Sequence, residues 1–161
     1  MRKSIYFTGG NFHDLQALFD LRKDIMDTRA GYLNGMKAFP KFEDVMKGET
    51  GHLMAVKVDY DPEIVDIRSL VETYILGLRG ISLPEGAIFA KGIYYDDFLD
   101  GVDALSEMVE HELGAHDINI AKVCNFFIAE SDHQHYYLTH YQEHPNINID
   151  AIPENLSKLH S

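Results

Sequence analysis

Phe7-Thr8-Gly9-Gly10-Asn11-Phe12-His13-Asp14-Leu15-Gln16-Ala17 decides how this chain begins. Residues Ser4 to Thr8, with Ile5 and Phe7 flanking Tyr6, read as a short buried strand that Gly9-Gly10 halts. Phe12, Leu15, Leu18 and Phe19 then recur at helical spacing, so the order is strand, glycine turn, helix. Asn11 stands where that helix starts, and Asn is among the best N-cap residues, worth about 1 kcal/mol relative to Ala.

Outward from this point the periodicities continue. Ile25 to Tyr32 reads as a second, irregular strand closed by Asn34-Gly35, and Met36 to Thr50 as a loop of the length that carries function or an insertion. From His52 to Tyr60, Met54, Val56, Val58 and Tyr60 alternate with Leu53, Ala55, Lys57 and Asp59, a half-buried strand turned by Asp61-Pro62. Asp66 is placed to cap a helix carrying Ile67, Leu70, Val71, Tyr74 and Leu78 and ending at Gly77 or Gly80. Ala87 to Tyr95 reads as a strand, Phe98 to Leu113 as a helix, Ile118 to Ile128 as a last strand and Ser131 to Glu143 as a last helix. The resulting βαββαβαβα order fits an α/β (α+β) fold of two layers, the split βαβ plan, with helices packed on a mixed sheet. Residues 1–144 are expected to form a single domain, and 145–161, polar with Pro153, a loosely docked tail.

Composition narrows the function classes. The chain has 161 residues and is 45% hydrophobic, enough for one core that buries roughly two-thirds of the unfolded surface. Fourteen basic against 26 acidic residues give a formal charge of −12, which repels phosphate backbones, so nucleic acid is a poor partner. No apolar run approaches the roughly 20 residues that span a bilayer, and Met1-Arg2-Lys3 leads straight into the first strand with no signal core. A cytoplasmic, acidic protein with no membrane partner is expected.

Three further segments join the opening one in a recognisable order. They are Ala30-Gly31-Tyr32-Leu33-Asn34-Gly35, the strand from Gly51-His52 to Pro62, and Phe126-Phe127-Ile128-Ala129-Glu130-Ser131-Asp132-His133-Gln134. Together these resemble the peptide methionine sulfoxide reductase A family, whose first helix opens on Gly-Gly-Cys-Phe-Trp-Gly. The resemblance implies that family's ferredoxin-like plait and a substrate class of oxidised methionine, free or in a peptide. It also implies a thiolate attacking the sulfoxide sulfur, a Glu and two tyrosines holding and protonating its oxygen, and a Phe-Trp pair around the S-methyl group, with reduction completed by further cysteines or thioredoxin.

Carried over by position, Phe12 matches the Phe, His13 replaces the Trp, Tyr32 and Tyr136 match the tyrosines, Met54 replaces the Glu and Ser131 replaces an Asp. Asn11 replaces the nucleophile. A helix N-terminus lowers a thiol's pKa and favours the thiolate that enters the sulfenic acid ladder, whereas an amide has no such electron pair. No catalytic residue of the family reaction is therefore expected here. Asn11, Phe12, His13, Tyr32, Met54, Ser131 and Tyr136 are the candidate substrate-binding residues of a pseudoenzyme, with no cofactor and no metal expected. The alternatives are a non-catalytic binding module for methionine sulfoxide or a related small ligand, a regulator of a protein partner, and an enzyme of altered chemistry in which His13 acts as acid or base near neutral pH. Oligomeric state is left open by the sequence.

Competing motifs are weaker. The one cysteine, Cys124, excludes an internal disulfide and lies in the apolar run Val123 to Phe127, where an inert small hydrophobe is expected. His140 and His144 stand four apart, a spacing that brings two imidazoles together, but no His-Glu-x-x-His occurs and Pro145 ends the helix there. His111 and His116 flank Gly114 near a helix end, where imidazolium suits the helix dipole. Asp96-Asp97 reads as a solvated turn, and Gly9-Gly10 is too short a glycine set to cradle phosphate.

Overall fold

The computed structural model describes residues 1–96, 109 and 117–160. Its strands are β1 (Lys3–Thr8), β2 (Asp27–Leu33), β3 (Leu53–Tyr60), β4 (Gly92–Tyr95), β5 (Asn119–Lys122) and β6 (Phe126–Ile128), and its helices are α1 (Phe12–Asp20), α2 (Phe42–Met46), α3 (Ile67–Leu78) and α4 (Tyr136–Thr139). The strands form one mixed sheet in the order β5-β4-β1-β3-β2-β6. The inner four, β4-β1-β3-β2, are antiparallel neighbours, so β1-α1-β2 and β3-α3-β4 are two interlocked split βαβ units. The expected α/β class and plait are therefore present, with β5 added parallel to β4 and β6 antiparallel to β2.

Period-two alternation sorts β3 as its sequence implies. Met54, Val56, Val58 and Tyr60 enter the main core with Ile5, Phe7, Leu15, Leu18, Val71 and Tyr74, while Ala55 joins Tyr6, Leu33 and Tyr94 in a smaller cluster. Asp66 caps α3 by accepting a hydrogen bond from the Arg68 N–H at 2.9 Å. The two helices pack closely because Gly77 has no side chain: a Cβ there would lie 2.4 Å from Leu18 Cδ2.

Several expectations are corrected. Within 36–50 the chain forms α2, whose start is held by the Asp44 carboxylate accepting from the Lys41 N–H at 3.0 Å. The strand expected from Ala87 begins only at Gly92, after a 3-10 turn over Ala87–Phe89. Ile118 to Ile128 is not one strand but two, at opposite edges of the sheet. Four peptide links from Lys122 to Phe126 span at most about 14 Å, whereas six flat strands would hold their edges about 24 Å apart. The sheet is therefore rolled, and residues 123–125 close it, Val123 donating to the Tyr95 carbonyl and Asn34 to that of Asn125. The helix expected from Ser131 to Glu143 is reduced to a 3-10 turn, Ser131–His133, and the single turn α4, because His135 adopts a left-handed φ of 49° between them. The helix expected from Phe98 to Leu113 lies outside the described residues, Val109 apart.

The C-terminal segment is tied down more firmly than expected. Asn148 donates to the Leu76 and Arg79 carbonyls at the end of α3, Ile152 is buried, and Ser157 bridges Arg22. Among the described residues no helix is long and apolar enough to cross a membrane.

Candidate functional site

The start of α1 carries three of the candidate residues, Asn11, Phe12 and His13. Gly10 takes φ +70° and donates its N–H to the Phe89 carbonyl at 3.0 Å, which delivers the chain into the helix at Asn11. Asn11 sits at φ −78°, ψ 131°, its Oδ1 accepting from the His13 N–H at 2.8 Å and its carbonyl from the Leu15 N–H at 3.2 Å. The amide oxygen is thus committed to capping the helix, occupying the His13 N–H, one of the free N–H groups that would otherwise stabilise an anion.

Around it Phe12 is fully buried, with its ring centre 5.8 Å from Tyr32 and 6.1 Å from Phe42. Tyr32, also fully buried, donates to Glu130 Oε1 at 2.7 Å, and the Phe42 N–H donates to Glu130 Oε2 at 3.0 Å. Burial is the largest influence on the Glu130 carboxyl and pushes its pKa up, but the hydrogen bonds from Tyr32 and Phe42 outweigh it and hold it below the usual range. Burial, then the bond to Glu130, raise the Tyr32 phenol, so the proton stays on the tyrosine and the charge on the glutamate.

His13 faces the other way, into a stack. Rings of Phe42, His133, His13, Tyr136 and His140 follow one another at centre separations of 4.3, 5.1, 4.5 and 3.8 Å, with interplanar angles of 21°, 15°, 21° and 7°. Between the middle pair, His13 Nε2 lies 2.9 Å from His133 Nδ1. Burial, and next the neighbouring His133, lower the His13 pKa to about 4. The ring is therefore neutral at pH 7 and lies below the near-neutral titration that an acid-base role requires.

A model of the family described as peptide methionine sulfoxide reductase matches residues 3–160. The chain belongs to that family. It is 32% identical over 166 residues to the peptide methionine sulfoxide reductase MsrA of Mycoplasmopsis pulmonis, a match covering 98% of this chain and 99% of that one. The crystal structure of reduced Mxr1 from Saccharomyces cerevisiae superposes with a TM-score of 0.77 at 20% identity, covering 90% of this chain and 89% of that one. Methionine sulfoxide reductase A of Corynebacterium diphtheriae gives 0.77 at 22% identity, with 89% and 77% covered. At those identities the two structures speak for the fold.

Within this methionine sulfoxide reductase fold the candidate residues divide. Phe12, His13, Tyr32 and Tyr136 are joined by ring contacts around the first turn of α1. Met54, opposite Tyr32 in the β2–β3 pairing, is 1% exposed and belongs to the core. Ser131 is exposed in the turn after β6. The Tyr136 hydroxyl donates to Glu143 Oε2 at 2.8 Å, so each of the two phenols is directed at a carboxylate.

Sequence reasoning missed Glu130 and Phe42, and weighed His133 only with the other histidines of the final helix as a metal ligand. Glu130 and His133 lie inside the quoted run ending at Gln134, and Phe42 in a segment read as loop. Cys124 is also corrected: it is exposed in the β5–β6 connection, its N–H donating to Asn34 Oδ1 at 2.6 Å. No group of three or more His, Cys, Asp or Glu side chains among the described residues is placed to hold a metal ion.

Proposed function

We propose that this member of the family keeps the reductase fold but does not carry out thiol-dependent reduction of methionine sulfoxide. The observation that carries the reading is Asn11: at the position of the family's nucleophile stands an amide whose oxygen is already bonded to the His13 N–H. Sulfoxide reduction by this route needs a thiolate that attacks the sulfur, takes up the oxygen to become a reducible sulfenic acid and releases the thioether, and an amide can do neither. Met54 strengthens the reading, since a buried thioether donates no proton to a departing oxygen. Cys124 stands in the β5–β6 connection and not at the start of α1, the place of the family's nucleophile.

The test is a coupled assay of the purified chain with methionine-S-sulfoxide and dithiothreitol, with contaminating reductases excluded. The expected outcome is no turnover above the protein-free blank. Sustained formation of methionine overturns the proposal.

A second reading, non-catalytic binding of a methionine-type ligand, draws on the half-exposed rings of His13 and Tyr136 beside the cap. On it, Asn11, Phe12, His13, Tyr32, Met54, Ser131 and Tyr136 remain the proposed site, with Phe12, Tyr32 and Met54 as its buried floor. Calorimetry with methionine-S-sulfoxide is expected to give saturable heat that Tyr136→Ala removes; no heat with the wild type rejects it.

A further inference from the structure

A separate cleft of about 570 Å³ opens beside α1, where the chain after Asp20, the segment 135–145 and the C-terminal segment meet. It shares His13 and Tyr136 with the site at Asn11, but Asn11, Phe12, Tyr32 and Met54 do not line it. The volume is that of a site for one small molecule, within the usual range of about 300–1,000 Å³.

Its lining is mainly apolar. Leu21, Ile25, Met26, Leu138 and Ile149 contribute aliphatic surface, and several of these are unusually exposed: Met26 is 50%, Leu138 69% and Ile149 46% accessible. Tyr137 and Tyr141 add aromatic rings, whose faces attract cations, while the faces of Tyr136 are taken by His13 and His140.

The polar groups of the cleft are unbalanced in sign. Asp20, Asp27 and Glu143 share the lining with one lysine, Lys158, and with His13, His135 and His144, in a chain of net charge −12. Their positions are fixed: Asp20 accepts from Thr28 at 2.6 Å and lies 2.8 Å from His135 Nδ1, Asp27 pairs with Arg29 at 2.9 Å, and Glu143 accepts from Tyr136. A carboxylate has about four lone-pair sites, so Asp27 and Glu143, with one partner each, keep acceptor capacity toward the cleft, while both oxygens of Asp20 are already engaged. An apolar, aromatic concavity with excess carboxylate complements a cation and repels an anion of the same shape.

We propose that this cleft binds a small organic cation with an apolar body, of the alkyl- or arylalkylammonium class. The inference goes beyond the reading of Asn11 and does not depend on it.

The experiment uses three probes of one shape on the full chain by calorimetry: 4-phenylbutylammonium, 4-phenylbutanol and 4-phenylbutyrate. The ammonium is expected to bind saturably, at least tenfold tighter than the butyrate, with the alcohol between them. Asp27→Asn with Glu143→Gln, both changes at partly exposed side chains, is expected to weaken the ammonium at least fivefold and leave the alcohol unchanged. Leu138→Ser is expected to weaken all three, placing the apolar body in the cleft, and raised salt to weaken only the ammonium. Equal binding of ammonium and butyrate, no binding of either, or a basic tripeptide binding where the ammonium does not, overturns the proposal.

Discussion

His13 Nε2 lies 2.9 Å from His133 Nδ1 in the middle of a stack of five rings, and the pair holds together only while one ring offers a lone pair to the other's N–H. Burial and the His133 neighbour keep His13 at a pKa of about 4, against 6.5 for a free imidazole. Between these values the unfolded chain binds a proton that the folded chain does not, so stability rises with pH across that window. The contribution is complete above about pH 6.5 and is lost as pH falls toward 4. At about 1.4 kcal/mol per unit, trimmed for partial exposure, it is on the order of 2 kcal/mol. Urea midpoints of the wild type should fall from pH 7 to 4.5 more steeply than those of His13→Phe, which keeps a ring in the stack; parallel profiles would remove His13 as the cause.

Tyr32 and Glu130 make a second pair whose removal has a defined signature. Tyr32→Phe takes away the donor at 2.7 Å and leaves Glu130 with the Phe42 N–H, at an expected cost of about 1–3 kcal/mol. Because that donor helps hold the Glu130 carboxyl below its usual range, its titration in the variant should move upward. The charge on Glu130 stabilises the fold above the carboxyl's unfolded pKa, and that part is lost as pH falls through the lower folded value. Carboxyl-detected NMR titration reads both, and an unmoved Glu130 in Tyr32→Phe contradicts the assigned bond.

How much of this was legible in the sequence depends on how local each cause is. The β1–Gly9-Gly10–α1 start, the alternation through β3 and the Asp66 cap follow from neighbours within a turn or a strand, and each stands in the structure as read. The failures have partners far along the chain. His135 leaves the helical region because its N–H goes to the Gln16 side chain, while Gln134 pairs through its amide with both backbone groups of Ala30. The run 118–128 divides because Tyr95 and Asn34 hold its middle. Asn11 was legible as a cap, but Glu130 and the ring stack become visible only when 126–140 is folded against α1.

Asn11 separates capping from chemistry. Asn11→Ala is expected to cost about 1 kcal/mol, and Asn11→Asp or Asn11→Ser to cost little, since each keeps an oxygen for the His13 N–H. Asn11→Cys restores the thiol but leaves Met54 buried without a proton to give, so sulfoxide reduction should stay near the blank. A large gain in turnover from this single change would show that the rest of the machinery is intact and that Asn11 alone silences the protein.

Arg22 joins the end of α1 to the C-terminal segment, and its removal should free that segment. Its side chain is fully buried, with a bidentate pair to Asp24 at 2.9 and 2.6 Å and Nη1 donating to the Ser69 carbonyl, the Ser69 hydroxyl and the Thr73 hydroxyl. Beside it the backbone of 21–23 pairs with the C-terminal segment, Lys23 donating to Leu156 and Lys158 to Leu21. Asp24→Asn leaves the buried guanidinium without its counter-charge, and Arg22→Ala leaves Asp24, Ser69 and Thr73 with unmet partners; either should cost about 3–5 kcal/mol. Asn148→Ala removes only the bonds to the end of α3 and should cost about 1 kcal/mol. Limited proteolysis distinguishes a local role from a global one: cleavage after residue 145 should quicken far more in Arg22→Ala than in Asn148→Ala, and equal rates would mean that the segment is held by Ile152 and its apolar contacts instead.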